Sequence, residues 1–209
     1  DAKGRQVEKK LPGKEWEYMV YDKLDRVVMT QDANMGSSKQ WLFTKFDKLG
    51  RAIYTGIYIS TNEHNSAGRQ AEQTQLNGAT NFYESRSTGG FAATGQTAYY
   101  TNTVYPTSIS KVLSINYYDT YPQGSPARPA SVYGKATIGD DLSQNINTKN
   151  LPTASYTKNL EDDTWTKSYS WYDEKSRIVG THSINHLGGY TKTELDLDFA
   201  GVPQTTKAY

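Results

Sequence analysis

The sequence predicts a mainly β protein, in which consecutive antiparallel β-hairpins form a curved open sheet or part of a spiral shell, with one short helix. Two observations support this prediction. A turn pattern built around an aspartate recurs along the 209-residue chain. The composition, with 17 tyrosines and a mean hydropathy of −0.77, suits half-exposed strands better than a helical core. Because a single hairpin is only marginally stable in water, we expect the hairpins to pair edge to edge.

The clearest hairpin runs from Trp41 to Tyr58, with the sequence WLFTKFDKLGRAIYTGIY. Pairing Asp47 with Arg51 leaves a three-residue loop whose last residue, Gly50, adopts the left-handed conformation without a steric penalty. Asp47 then occupies the first position of the turn, where its carboxylate accepts hydrogen bonds from backbone N–H groups further along. Capping of the turn is therefore enough to explain this aspartate, and no bound ligand is required.

The same spacing occurs five times, at Asp1-Gly4-Arg5, Asp22-Asp25-Arg26, Asp47-Gly50-Arg51, Asp173-Ser176-Arg177 and Asp198-Gly201-Val202. The register predicted from these turns places aromatic residues opposite threonines, and it also pairs other large residues: Tyr18 with Thr30, Phe43 with Thr55, Tyr169 with Thr181, Val20 with Val28 and Trp171 with Val179. Such cross-strand pairs contribute roughly 0.2–1 kcal/mol each. The Asp–Arg pairs are predicted to be exposed and to add at most about 1 kcal/mol.

The Tyr-Asp-x-x-Gly-Arg hairpin resembles the YD repeat of the Rhs family. The segments EWEYMVYDKLDRVVMTQD and KQWLFTKFDKLGRAIYTGIY are similar to its bacterial cell-surface members. The resemblance covers residues 1–60 and 160–209 well and the middle loosely, and five copies in register make a short motif specific. This chain departs from the motif at Asp25 and Ser176, which replace glycine, and at Val202, which replaces arginine.

The resemblance implies a role and a location. In the family, YD repeats wind into a spiral sheet that closes as a hollow shell around a toxic C-terminal segment. It implies that this chain is a non-catalytic section of shell wall, extracellular or at the cell surface. Its partners would be the remainder of its own longer chain and an enclosed toxin domain. The first turn lacks its entering strand, so we expect the natural protein to continue upstream. The family's self-cleavage motif contains Asp-Pro, which is absent from this sequence, so we expect the protease and toxin to lie elsewhere.

The hairpins divide the chain into three predicted segments. Residues 1–60 hold three hairpins, the first truncated, and residues 161–209 hold two. The segment between them, 61–160, is predicted to be an irregular insertion with a short helix at about residues 66–77 and further strands. A polar turn, residues 32–36, joins the second hairpin to the third.

Within the insertion, the Gly/Ser/Thr-rich stretch Ser85–Gln96 is predicted to be a loop. Strands are predicted at Ala98–Pro106 and Lys111–Tyr118. Tyr118-Asp119 resembles a sixth copy of the motif whose turn has been replaced. Residues 121–151 follow it, either as an irregular loop or as a set of short strands.

Charge and composition exclude several classes of function. With 23 basic and 22 acidic residues, the net charge of +1 gives no reason to expect nucleic acid as a partner. The chain has no cysteine, so disulfides and thiolate metal sites are excluded. No apolar run reaches the roughly 18–20 residues that span a bilayer.

No sequence motif for catalysis, phosphate binding, zinc or calcium is present, so we expect neither an enzyme nor a cofactor. His182 and His186 are four residues apart but lie in the exit strand and turn of the fourth hairpin, which disfavours a metal site. His64 lies in a polar loop and is expected to be solvated. A hydrolase would need two carboxylates in one cleft, drawn from Asp140, Asp141, Glu161, Asp162 and Asp163.

A second hypothesis is a carbohydrate-binding or adhesion module. Exposed aromatic side chains stack on sugars because their faces are flat and apolar. The candidate glycan contacts are the four tryptophans, Trp16, Trp41, Trp165 and Trp171. Burial of these side chains in the sheet would argue against the hypothesis.

Overall fold

The computed structural model describes the whole chain, Asp1–Tyr209. Its elements are β1 (Glu8–Lys10), β2 (Trp16–Tyr21), β3 (Val27–Gln31), α1 (Ala33–Ser37), β4 (Gln40–Phe46), β5 (Ala52–Ile59), α2 (Ser66–Gly78), β6 (Arg86–Ala93), β7 (Gln96–Tyr100), β8 (Ile109–Tyr118), β9 (Ser131–Val132), β10 (Lys135–Ala136), β11 (Pro152–Lys158), β12 (Trp165–Tyr172), β13 (Ile178–Ile184), β14 (Tyr190–Leu197) and β15 (Pro203–Ala208). An 11-stranded sheet has the order β1-β2-β3-β4-β5-β8-β11-β12-β13-β14-β15. The predicted mainly β fold of hairpin-connected antiparallel strands is confirmed.

The chain divides into two compact units, Asp1–Leu113 and Ser114–Tyr209. The first contains β1–β7 and both helices, and the second contains β9–β15. Strand β8 crosses the boundary, which falls inside the predicted insertion, 61–160. Neither helix has the length and hydrophobicity that a membrane-spanning helix requires.

The predicted register is wrong by one residue in the strands that leave three of the turns. Direct partners are instead Tyr18 with Gln31, Val20 with Met29, Phe43 with Gly56, Tyr169 with His182 and Trp171 with Gly180. A β-bulge next to each of these turns is the cause, because it inserts one extra residue into one strand. A three-residue loop that ends in the left-handed conformation forms such a bulge.

The shifted register places glycines beside the largest buried rings. A Cβ atom on Gly56 would lie 2.6 Å from Cζ of Phe43 and 2.2 Å from the carbonyl oxygen of Lys111. A Cβ atom on Gly180 would lie 2.9 Å from Cε3 of Trp171. The expected Phe43–Thr55 and Trp171–Val179 pairs are therefore aromatic–glycine contacts.

Three predictions for the first unit need correction. Residues 32–36 are not a simple turn, because Asp32 caps the short helix α1 by accepting a hydrogen bond from the Met35 N–H at 2.8 Å. The chain therefore has two helices, of which α2 matches the predicted one. Ser85–Gln96 is not a loop: most of it forms the hairpin β6–β7, whose irregular register accommodates Gly90 at a φ of 59°. The strand predicted at Ala98–Pro106 ends at Tyr100.

The Tyr118-Asp119 motif lies where a replaced turn was expected. Strands β8 and β11 are antiparallel neighbours. The Asp119 N–H donates to the Leu151 carbonyl at 3.0 Å, and the Asp119 carboxylate accepts from the Asn150 N–H at 2.6 Å. The intervening residues, which include the short hairpin β9–β10, occupy the place of the tight turn.

Helix α2 completes an edge of β2 that β1 leaves open. Strand β1 pairs only with Trp16–Tyr18. Beyond it, Gln73 accepts from the Tyr21 N–H at 3.1 Å and donates to the Tyr21 carbonyl at 2.7 Å, as a neighbouring strand would. Arg69 donates to the Met19 carbonyl at 2.9 Å. These side chains satisfy backbone groups that would otherwise be buried without partners.

We predict that Gln73→Ala lowers the free energy of unfolding by about 1–3 kcal/mol, because it leaves the buried Tyr21 groups unpaired. Gln73→Glu should be no better, since a carboxylate oxygen would then face the Tyr21 carbonyl. Urea unfolding measures the loss, and Gln75→Ala on the exposed face of α2 is the control. Unchanged hydrogen exchange at the Tyr21 amide in Gln73→Ala would contradict this account.

One face of the second unit carries a patch of eleven short, uncharged polar side chains. Cross-strand partners on this face link five neighbouring strands, β8, β11, β12, β13 and β14. We call it the hydroxyl face, and its residues are Ser114, Asn116, Ser155, Thr157, Thr166, Ser168, Ser170, Thr181, Ser183, Thr191 and Thr193. The opposite face of the same strands carries Tyr117, Tyr156, Tyr169 and Trp171, which are buried, together with Lys167 and Lys192.

Candidate functional site

The most regular polar arrangement in the chain is the repeated turn. In the second copy, Asp22 Oδ1 accepts from the N–H groups of Leu24 at 2.9 Å and Arg26 at 3.0 Å. Asp22 Oδ2 accepts from Arg26 Nε at 2.8 Å. The turns at Asp1, Asp47 and Asp173 repeat these three hydrogen bonds, and Asp198 makes the backbone bond to Val202. Each aspartate therefore caps its own turn, as predicted.

The fourth residue of each turn lies in the left-handed region, as predicted. Gly50 has a φ of 79° and Gly201 a φ of 89°, while the non-glycine residues Asp25 and Ser176 have φ values of 59° and 60°. A left-handed serine is sterically costly, and the Ser176 N–H donates to the Asp173 carbonyl at 2.9 Å. The turn therefore keeps its left-handed residue even where Asp25 and Ser176 replace glycine.

The Asp–Arg pairs are not exposed, which corrects the prediction. The side chain of Asp22 is 2% exposed and that of Arg26 is 18% exposed. In the fourth copy the corresponding values are 6% for Asp173 and 24% for Arg177. Other segments cover these groups: Arg26 donates to the Phe82 carbonyl, and Asp173 lies opposite Thr137. Removing one partner of such a pair should therefore cost more than in a solvent-exposed pair, because the other charge stays buried.

Arginine in three of the turns also contacts the next aspartate turn along the chain. The Arg5 guanidinium lies 4.7 Å from the centre of the Tyr21 ring, and Arg26 lies 4.3 Å from that of Phe46. Arg177 Nη1 donates to the carbonyl of Asp198 at 3.0 Å. A single guanidinium therefore neutralises its own aspartate and fixes the next hairpin, and Val202 cannot do this in the fifth turn.

A further turn of the same geometry begins at Asn185. Its N–H donates to the Gly189 carbonyl at 2.8 Å, and its side-chain Oδ1 accepts from the N–H groups of Leu187 at 3.0 Å and Gly189 at 2.9 Å. Gly188 has a φ of 83°. Asparagine takes the place of aspartate in this turn, which the aspartate pattern therefore does not include, although the spacing from Asn185 to Gly188 is that of the other copies.

Acid should destabilise the second unit partly through Asp173. Burial raises the pKa of this carboxyl, but hydrogen bonds from Arg177 and Lys175 lower it more, and the net pKa lies below the ordinary value. Its contribution is therefore present above the unfolded-state pKa of about 3.9 and is lost as the pH falls through the folded-state pKa. We predict that Asp173→Asn loses less stability between pH 7 and pH 3 than the wild type in urea unfolding. Asp198→Asn, which removes no arginine pair, is the control, and an equal loss in both variants would contradict the prediction.

Three of the four candidate glycan contacts are buried, which corrects their predicted exposure. Trp41 is 1% exposed, Trp171 is 2% and Trp165 is 6%, whereas Trp16 is 42% exposed. Trp41 lies opposite Tyr58, and Trp171 lies opposite Gly180, which makes room for the indole. Trp16 alone has a face that a ligand can reach.

The histidines do not come together as a metal site. His64 is not solvated as expected: its Nδ1 lies 2.8 Å from Gln31 Oε1, and its ring packs edge-on against Tyr18. His182 stacks on Tyr190 with ring centres 5.3 Å apart, and burial together with the charge of Lys192 lowers the pKa of His182. His186 is exposed in the turn after Asn185. The structure contains no group of three or more His, Cys, Asp or Glu side chains placed to hold a metal ion.

The acidic residues considered for hydrolysis have separate local roles. Asp140 accepts from the Tyr121 N–H at 2.9 Å, and Asp141 caps the turn at Ser143. Asp162 caps Thr164, and Asp163 pairs with Lys158 at 3.0 Å. Glu161 is exposed.

Two buried acidic residues escaped the sequence analysis. Glu84 is 1% exposed and lies 3.6 Å from Nζ of Lys45, whose side chain is 3% exposed. Glu72 on α2 is 0% exposed and accepts hydrogen bonds from Ser60, Asn62 and Tyr105. Burial, followed by hydrogen bonds with Glu72 and Tyr58, raises the pKa of Tyr105 above its ordinary value. The alternation of Trp41, Phe43 and Lys45 along β4 places Lys45 on the buried face, but nothing in the sequence near Glu84 marks it as the partner.

Comparison with known proteins assigns neither a family nor a function to the chain. No protein-family model matches the chain, and no curated protein matches its sequence.

Proposed function

We propose that the chain is a non-catalytic structural segment of a large YD-repeat, Rhs-like protein, contributing wall to a β-shell. One observation carries this proposal: arginine in successive turns neutralises its own aspartate and also contacts the following turn. The repeated aspartate and arginine side chains therefore stabilise their own turns and connect neighbouring hairpins. A ligand-binding repeat would instead leave these groups facing a cleft.

The proposal extends to the setting of the chain. Its partners would be the remainder of its own longer chain and an enclosed toxin domain, and its location would be the cell surface or the extracellular space. These parts follow from the resemblance of the turn motif to YD repeats. The absence of cysteine is compatible with them.

Hydrogen exchange of turn variants tests the structural proposal. Arg26→Met should speed amide exchange in its own turn and also in the turn at Asp47, and Arg177→Met should do the same at Asp198. Lys48→Met, at an exposed turn position, is the matched control and should change neither. Faster exchange confined to the mutated turn would remove the argument for a continuous wall. Turnover of any ester or glycoside in a substrate panel would contradict the non-catalytic reading.

A carbohydrate-binding role remains a second candidate only through Trp16. Its indole is 42% exposed, and Nζ of Lys10 lies 5.9 Å from its ring centre. A glycan array compares the wild type with Trp16→Ala. Signals that vanish in the variant would favour binding, and an array without signals would end this candidate.

A further inference from the structure

We propose that Lys45 and Glu84 condense to an intramolecular amide bond that joins β4 to the segment following α2. Lys45 Nζ lies 3.6 Å from Glu84 Oε1, and both side chains are almost wholly excluded from solvent. The Glu84 N–H donates to the carbonyl of Phe46 at 2.9 Å, which holds the two chain segments together. The chain has no cysteine, so a disulfide cannot supply this covalent link.

The surroundings of Glu84 resemble a site that stabilises a developing oxyanion. The Val104 N–H donates to Glu84 Oε1 at 2.8 Å, and the Thr103 N–H is shared between Oε1 at 2.9 Å and Oε2 at 3.0 Å. The hydroxyls of Thr101 and Thr103 donate to Oε2 at 2.6 and 3.1 Å. Backbone donors fixed in this way stabilise negative charge on one oxygen while the other becomes the leaving group.

The reaction needs no reagent beyond the two side chains. The Lys45 ammonium transfers one proton to the Glu84 carboxylate, leaving a neutral amine and a carboxylic acid. The amine nitrogen attacks Cδ of Glu84, and the negative charge develops on Oε1. Nitrogen then loses a second proton to the departing oxygen, the C–Oε2 bond breaks, and one water molecule leaves. Nothing is oxidised or reduced.

Burial favours formation of the amide. It lowers the pKa of Lys45 to about 8, although the nearby Glu84 raises it, so the neutral amine is accessible near neutral pH. Condensation also removes two buried charges, each of which is costly to keep out of water. Well-oriented side chains held next to each other react as if at effective concentrations of about 10⁵–10⁸ M, which lowers the barrier to condensation.

A second buried lysine provides a contrast within the same chain. Lys158 Nζ lies 3.0 Å from Asp163 Oδ1, closer than in the first pair. The Asp163 side chain, however, is 52% exposed, so water stabilises its carboxylate. We expect this pair to stay ionic.

Intact mass spectrometry of the denatured protein tests the proposal. The wild type should be lighter than its sequence mass by one water molecule, and fragmentation should place the link between peptides containing Lys45 and Glu84. Lys45→Arg should have its full sequence mass, because a guanidinium does not attack, and Lys158→Arg should keep the wild-type loss. A wild type at its full sequence mass would overturn the amide. This result would leave the proposed wall function untouched, since that function rests on the turns.

Discussion

Replacing Lys45 by methionine is expected to lower the free energy of unfolding of the first unit by about 3–5 kcal/mol, because Glu84 then remains as a buried charge without its partner. The lysine also donates to the carbonyls of Val104 and Pro106, which lose this donor. The loss is expected for an ion pair and for an amide alike. Urea unfolding followed by tryptophan fluorescence measures it.

The double variant Lys45→Met with Glu84→Gln should be less destabilised than Lys45→Met alone, since it buries no unpaired charge. Lys158→Met is the matched control: its side chain is also buried, but its partner Asp163 can be solvated, so the loss should be smaller. A Lys45→Met protein as stable as Lys158→Met would show that the buried pair does not hold the first unit together.

Removing the turn aspartates one at a time should give a graded loss of stability. Asp22→Ala is expected to cost about 3 kcal/mol, because the carboxylate is 2% exposed and Arg26 loses its partner. The cost should fall in the order Asp22, Asp173, Asp47, Asp198, following carboxylate exposures of 2%, 6% and 13% for the first three. Asp198 has no arginine partner, so its replacement should cost less than about 1.5 kcal/mol.

Urea midpoints of the four alanine variants, at equal protein concentration, provide the comparison. The matching Asp→Asn variants keep an oxygen that accepts from the backbone N–H groups and should each recover part of the loss. Equal losses at all four positions would contradict the dependence on burial. A larger loss at Asp198 than at Asp22 would point to a role for these aspartates other than turn capping.

The hairpins could be predicted from the sequence because their turns are local. Asp47, Gly50 and Arg51 are close in the chain, and the conformation of such a turn depends on few distant contacts. The strand register could not be predicted from the same residues. Pairing the turn residues directly gives Phe43 opposite Thr55, whereas the bulge next to the turn moves Gly56 into that place.

Other differences have different physical causes. Ser85–Gln96 has the composition of a loop, yet it pairs as β6–β7, because Thr94 and Gly95, both at positive φ, form a two-residue turn between the paired Ala93 and Gln96. The turn at Asn185 was accessible to sequence reasoning, since asparagine accepts the same hydrogen bonds as aspartate. The Lys45–Glu84 pair was not, because it joins residues 39 positions apart, and only the folded chain shows that both are buried.

The hydroxyl face has a consequence for how this protein responds to salt. It carries no ionisable side chain, whereas Lys167 and Lys192 project from the other side of the same strands. Ionic strength weakens attraction between exposed charges over a Debye length of about 8–10 Å but has little effect on neutral hydrogen-bonding groups. Contacts made through the hydroxyl face should therefore keep their strength as the salt concentration rises. Charge-dependent contacts through the face that carries Lys167 and Lys192 should weaken.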